Sequence, residues 1–148
     1  MQIVAQHGDG ELATLYVAQL TDGSRIEFVE SVQPPVPRHE KWVHVISTLK
    51  GCPFDCTICD AGGNYAGKLS SAEIVDQVDY LVRTLYPDGV PLTRRLKVQF
   101  ARMGDPALNA GVLDALVTLE GRYSGLLFPS ISTIAPATGS VMLEDLLD

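Results

Sequence analysis

All three cysteines of this 148-residue chain lie in one stretch, Lys50-Gly51-Cys52-Pro53-Phe54-Asp55-Cys56-Thr57-Ile58-Cys59-Asp60. Their spacing is C-x3-C-x2-C. Iron–sulfur clusters are held by cysteine thiolates, and three thiolates on one tight loop can hold three irons of a cubane. The fourth iron is then left without a protein ligand and can coordinate a small molecule. Three cysteines are one short of a four-thiolate zinc site, and a Cys3His site needs a histidine nearby. His44 is the nearest one before Cys52, and no histidine follows Cys59. A redox pair of Cys56 and Cys59 leaves Cys52 unexplained. The bland alternative is three thiols packed as small hydrophobes. Their crowding into one loop, with none elsewhere, argues against it.

The elements that must position this loop can be read on either side of it. Trp42 to Thr48 is a short apolar strand that runs straight into the cysteines. Ala61-Gly62-Gly63-Asn64-Tyr65-Ala66-Gly67 follows them. This Gly-rich loop lacks G-x-G-x-x-G and the Lys-Ser/Thr ending of a phosphate loop, so its glycines let the backbone fold closely around a ligand. Ser70 with Glu73 forms a capping box, and Ile74, Val78, Leu81, Val82 and Leu85 recur at helical spacing. Tyr86-Pro87-Asp88-Gly89 ends that helix. Leu96 to Ala101 is a second strand, Arg102 to Asn109 a turn, and Val112 to Leu119 a second helix. Leu126 to Thr133 is a third strand, whose Pro129 fits only an edge or an irregular point. A third helix is expected from Ser140 to Leu147.

Upstream, Leu12–Leu20 and Arg25–Val32 alternate as half-buried strands across Thr21-Asp22-Gly23-Ser24, a hairpin turn signal. The hairpin reads as a structural flap. Gln33-Pro34-Pro35-Val36-Pro37 reads as a stiff linker. His44 reads as a packed histidine rather than a ligand.

Strands and helices that alternate in this way imply parallel, right-handed βαβ units. Ligand sites in such folds lie at the carboxyl ends of the strands. The cysteine loop, the Met103-Gly104-Asp105-Pro106 turn and Ser132-Thr133 all fall there. Asp105 and Pro106 also suit the start of a helix.

The chain carries a net charge of −7, with a pI near 4.8 and a mean hydropathy of +0.14. An acidic surface does not by itself attract a polyphosphate backbone. The one basic cluster, Arg94-Arg95 with Lys97, reads as a solvated turn and strand start. No apolar run is long enough for a membrane span, and the N-terminus does not read as a signal peptide. Clustered thiols point to a reducing, cytoplasmic setting.

The C-x3-C-x2-C loop placed after a strand resembles the cluster motif of the radical S-adenosylmethionine (SAM) superfamily. Met103-Gly104-Asp105-Pro106 is similar to that family's G-E-P element, with Asp105 one methylene shorter than the usual glutamate. Ser132-Thr133 resembles its S-T element. The resemblance implies a [4Fe–4S] cluster on Cys52, Cys56 and Cys59, with SAM chelating the open iron and cleaved to a 5′-deoxyadenosyl radical. It also implies that Gly104, Asp105 and Ser132 hold the polar groups of SAM. Ile58, where the family usually has an aromatic residue, would flank the adenine. A small reductant such as flavodoxin or ferredoxin is implied as a partner.

Within the superfamily the likeness is to the adenine-C2 methyltransferases of 23S ribosomal RNA. It rests on Leu20-Thr21-Asp22-Gly23-Ser24-Arg25-Ile26-Glu27 and on Met103-Gly104-Asp105-Pro106-Ala107-Leu108-Asn109. RNA is then the implied substrate. That branch passes the methyl group through a later cysteine, and no cysteine follows Cys59. The expected fold class is α/β: about three βα units forming the N-terminal half of a radical SAM partial TIM-type barrel, preceded by a β-hairpin. Residues 1–40 would be the hairpin and Pro-rich linker, and 41–148 a truncated core domain. A half-barrel leaves an unpaired parallel strand and exposed apolar faces, so a complementing C-terminal half or an oligomer is a further expectation. The alternatives are a non-catalytic iron–sulfur or zinc module and an inactive remnant.

Overall fold

Alternating burial along the first strands decides the architecture. In β2 (Ala13–Gln19) and β3 (Arg25–Ser31) every second residue is buried, so each presents one face to a core. A computed structural model describes residues 1–139 and 144–146. It contains a six-stranded sheet in the order β1-β2-β3-β4-β7-β8. β1 (Gln2–Asp9), β2 and β3 form an antiparallel meander, and β3 pairs antiparallel with β4 (Trp42–Ile46). β4, β7 (Leu96–Phe100) and β8 (Leu127–Ile131) are parallel.

The hairpin is therefore not a flap. Ile26 and Phe28 are fully buried and share one core with Trp42, Ile46, Leu96, Val98 and Phe100. The extra strand β1, absent from the sequence reading, pairs along nearly the whole of β2. Its residues are mostly exposed, so it carries little of the alternation that reveals a strand.

Both crossovers between the parallel strands are helical. α1 (Ser71–Leu85) starts on the expected box: Ser70 Oγ accepts from the Glu73 N–H and a Glu73 carboxylate oxygen accepts from the Ser70 N–H. Its apolar stripe packs on the sheet face that carries Trp42 and Ile46. α2 (Gly111–Arg122) lies against α1 and the same core through Val112, Ala115 and Leu119. Tyr123 and Arg122 at its end both reach Asp79 of α1. β8 is the edge strand, which is where Pro129 is tolerated. The helix expected from Ser140 to Leu147 falls mostly outside the described residues. No described helix is long and apolar enough to cross a membrane.

Candidate cluster and cofactor site

The three thiols stand on a loop closed at its base. β5 (Leu49–Lys50) and β6 (Gly67–Lys68) form a two-residue antiparallel clasp, and Cys52 bridges Gly62 within the loop. Gly51 has φ +77°, and a Cβ there would lie 2.1 Å from the Asn64 carbonyl oxygen. Glycine is the residue that allows both the conformation and the contact. The Cys59 N–H donates to the Cys56 carbonyl at 3.0 Å, which turns the chain between the last two thiols.

The segment after β7 holds this clasp. The N–H groups of Thr48 and Leu49 both donate to the Met103 carbonyl, at 3.0 and 3.1 Å. Gly104, at φ +82°, packs so closely on Leu49 that a Cβ would come within 2.3 Å of its side chain. Asn109 is buried, and its amide nitrogen donates at 2.8 Å to both Thr48 and Leu69, the residues flanking the clasp. Gln77 of α1, also buried, bonds both backbone groups of Ser47. Asn109 and Gln77 were missed as site-building residues. The sequence does not say which carbonyls a buried amide will meet.

On the other side, Lys50 reaches the hairpin turn, with Nζ 2.5 Å from Asp22 Oδ2. This hydrogen bond, followed by those from Ser24, holds the Asp22 carboxyl below the usual carboxylate range, and it raises Lys50.

Asp105 is buried at the end of this segment and ties it to the loop after β8. One carboxylate oxygen accepts from the Ala107 N–H at 2.9 Å and from the Thr133 hydroxyl at 2.7 Å. The other accepts from the Ile134 N–H at 2.8 Å. The Thr133 hydroxyl in turn accepts from the Ala135 N–H at 2.8 Å. Asp105 thus caps the short 3-10 turn Pro106–Leu108 and links two strand ends at once.

A cleft of about 290 Å³ opens between these pieces. Cys52, Cys56 and Cys59 line it together with Gly104, Asp105, Ser132 and Thr133. Six of the seven expected site residues share this cleft. Ile58 does not; its side chain is almost fully exposed and lines an adjoining cleft with Glu27, Cys59, Asp60, Arg102 and Met103. Arg102, which sequence reasoning left in a turn without a role, lines both clefts.

The donor set, three free thiols on one loop, is of the kind that a three-thiolate cluster uses. All three cysteines are free and line one cleft, but among the described residues neither they nor any other three His, Cys, Asp or Glu side chains are gathered closely enough to hold one metal ion. His44, the histidine nearest before Cys52 in sequence, is fully buried edge-on to Trp42 and lines none of these clefts. It cannot complete a Cys3His set from there. Three thiols without a fourth ligand match a group that leaves one iron open.

No family model matches the chain. The solved structure of a radical SAM methyltransferase from Sphaerobacter thermophilus superposes with a TM-score of 0.71 at 20% identity, over 88% of this chain and 38% of that one. The fold is that of part of a radical SAM methyltransferase.

Sequence narrows the relationship further. The chain is 31% identical over 120 residues to the dual-specificity RNA methyltransferase RlmN of Campylobacter fetus, covering 75% of this chain and 33% of that protein. It is 39% identical over 108 residues to the probable dual-specificity RNA methyltransferase RlmN of Trichormus variabilis, covering 71% of this chain and 27% of that protein. The RlmN of Campylobacter jejuni matches over 95% of this chain at 27% identity, across 41% of its own length. The chain is thus a homologue of part of the RlmN radical SAM RNA methyltransferases. It spans 33% of the length of the first of these relatives.

Proposed function

We propose that the chain is the cluster- and SAM-binding part of a radical SAM enzyme of the RNA-methyltransferase kind. One observation carries the reading: a single cleft gathers three free thiols from one loop with polar groups from two other strand ends. Cys52, Cys56 and Cys59 hold a [4Fe–4S] cluster, which with SAM supplies radical chemistry once a reductant such as flavodoxin or ferredoxin delivers an electron. The protein's part is binding, orientation and exclusion of water.

Each residue has a task in this reading. Gly104 would bring its backbone close to the cleft, within reach of the amino group of SAM. Ser132 offers a hydroxyl to the polar part of SAM. Asp105 supplies negative potential to the ammonium while its oxygens fix the backbone around it. Ile58 gives an apolar contact to the adenine without stacking. RNA is the proposed substrate, on the strength of the relatives' names. These residues bind cluster and SAM, and a methyl-carrying thiol would come from a complementing segment or partner. A reducing, cytoplasmic setting suits the exposed thiols.

Anaerobic reconstitution with iron and sulfide tests the reading. The expected product holds about four irons per chain, with an electron paramagnetic resonance signal that shifts on addition of SAM. Replacing any one of Cys52, Cys56 or Cys59 by alanine should abolish it. One zinc per chain and no response to SAM would sink the proposal and leave a non-catalytic module.

A further inference from the structure

We infer that Arg102 is a SAM-binding residue of this chain, placed to receive the carboxylate of the methionine part. The inference rests on the SAM reading proposed above. Among the described residues lining the three-cysteine cleft, Arg102 is the one basic residue and Asp105 the one acidic residue, and the Arg102 guanidinium is bound to Glu27 at the rim it shares with the adjoining cleft. SAM brings a carboxylate and an ammonium on the same carbon. A cleft with one fixed charge of each sign is complementary to that end of the molecule.

The guanidinium is held ready rather than used up. Its Nε and Nη2 donate to a single oxygen of Glu27, at 3.0 and 2.5 Å. Nη1 has no hydrogen-bond partner among the described residues, and neither has the second Glu27 oxygen. Both side chains are more than a third exposed. An ion pair that open to solvent contributes little, so exchanging Glu27 for a ligand carboxylate costs little. The pair also stands at the junction of the two clefts, since Arg102 lines both and Glu27 only the one beside Ile58. Glu27 is fixed in turn: its carbonyl accepts from the Ser47 hydroxyl, and its N–H donates to Met103 Sδ at 3.2 Å. Arginine suits this task because its guanidinium stays charged and can donate to the carboxylate oxygen that chelation of the iron leaves free.

Equilibrium dialysis of the cluster-loaded chain tests the assignment, with SAM and decarboxylated SAM as the two probes. Arg102→Gln should weaken SAM binding roughly ten- to hundredfold, the loss of a charge-assisted hydrogen bond. Binding of decarboxylated SAM should be unchanged. Glu27→Gln leaves Arg102 in place and frees it, so SAM should be held as tightly as by the wild type or more tightly. Equal losses for both probes, no loss for either, or a loss in Glu27→Gln would each overturn the assignment. A wild-type chain that takes up the cluster but no SAM would instead remove the reading beneath it, and the assignment with it.

Discussion

At the scale of single residues, Asp105 shows how a position can be singled out in the sequence while its immediate bonding stays hidden. The sequence marked it both as a ligand for an ammonium group and as a helix cap. The structure gives its carboxylate three protein donors, from Ala107, Thr133 and Ile134. Asp105→Asn turns a donor toward the Ile134 N–H and should cost about 2 kcal/mol, read from the urea midpoint. Thr133→Val removes one of the three and should cost about 1 kcal/mol in the same measurement. His44 offers a second test. It is fully buried, and neither ring nitrogen has a partner. Burial, and secondarily the Arg38 charge, pushes its pKa from 6.5 down to about 3. The unfolded chain therefore takes up a proton that the folded chain refuses. This contribution to stability is intact above 6.5 and falls as the pH drops toward about 3, by at most ~1.4 kcal/mol per pH unit. His44→Leu should flatten that part of the pH profile and raise stability at pH 5.

At the scale of elements, the parallel units were legible because their signals are local. The capping box of α1, the apolar stripe behind it and the proline of β8 each depend on a few neighbouring residues. Where those signals thin out, the reading failed. β1 shows little alternation because both of its faces are exposed over most of its length, and the hairpin reads as a flap because burial of Ile26 and Phe28 depends on helices far along the chain. The strand that enters the cysteine loop was expected to reach Thr48, but β4 ends at Ile46. Ser47 and Thr48 turn instead to bond Gln77, Met103 and Asn109. The glycine expected to allow close approach at position 104 does so toward Leu49, not only toward a ligand. Gly104→Ala should therefore lower the thermal midpoint by several degrees even without cofactor. That corresponds to about 1–2 kcal/mol, from positive φ and the clash together. An unchanged midpoint would mean that the glycine serves the ligand alone.

At the scale of the whole molecule, the described helices cover the sheet on one face only. Strand register places Ala13, Ser31, Val43, Lys97 and Phe128 in one row across the other face. The next row runs through Leu15, Val29, Val45, Gln99 and Ser130. Both described helices pack on the opposite side. Phe128 is half exposed there, with the Arg95 guanidinium 4.9 Å from its ring centroid. The expected unpaired parallel edge is present as β8. An open edge that carries a half-exposed phenylalanine invites pairing with other chains. Light scattering should show association that grows with protein concentration, and Phe128→Ser should reduce it.

The clasp under the cysteine loop has one more consequence. Lys50 and Gly67 meet at the base of an excursion whose thiols contribute nothing to the core, while Leu49, Leu69, Thr48 and Met103 hold the base without them. The loop proposed to carry the cluster is in effect a handle fastened to a finished frame. Chelating the iron should bleach the protein yet leave its far-ultraviolet circular dichroism spectrum unaltered at room temperature. Damage by oxygen would then be a reversible loss of cargo rather than a route to unfolding, and the apoprotein could be refilled without being refolded.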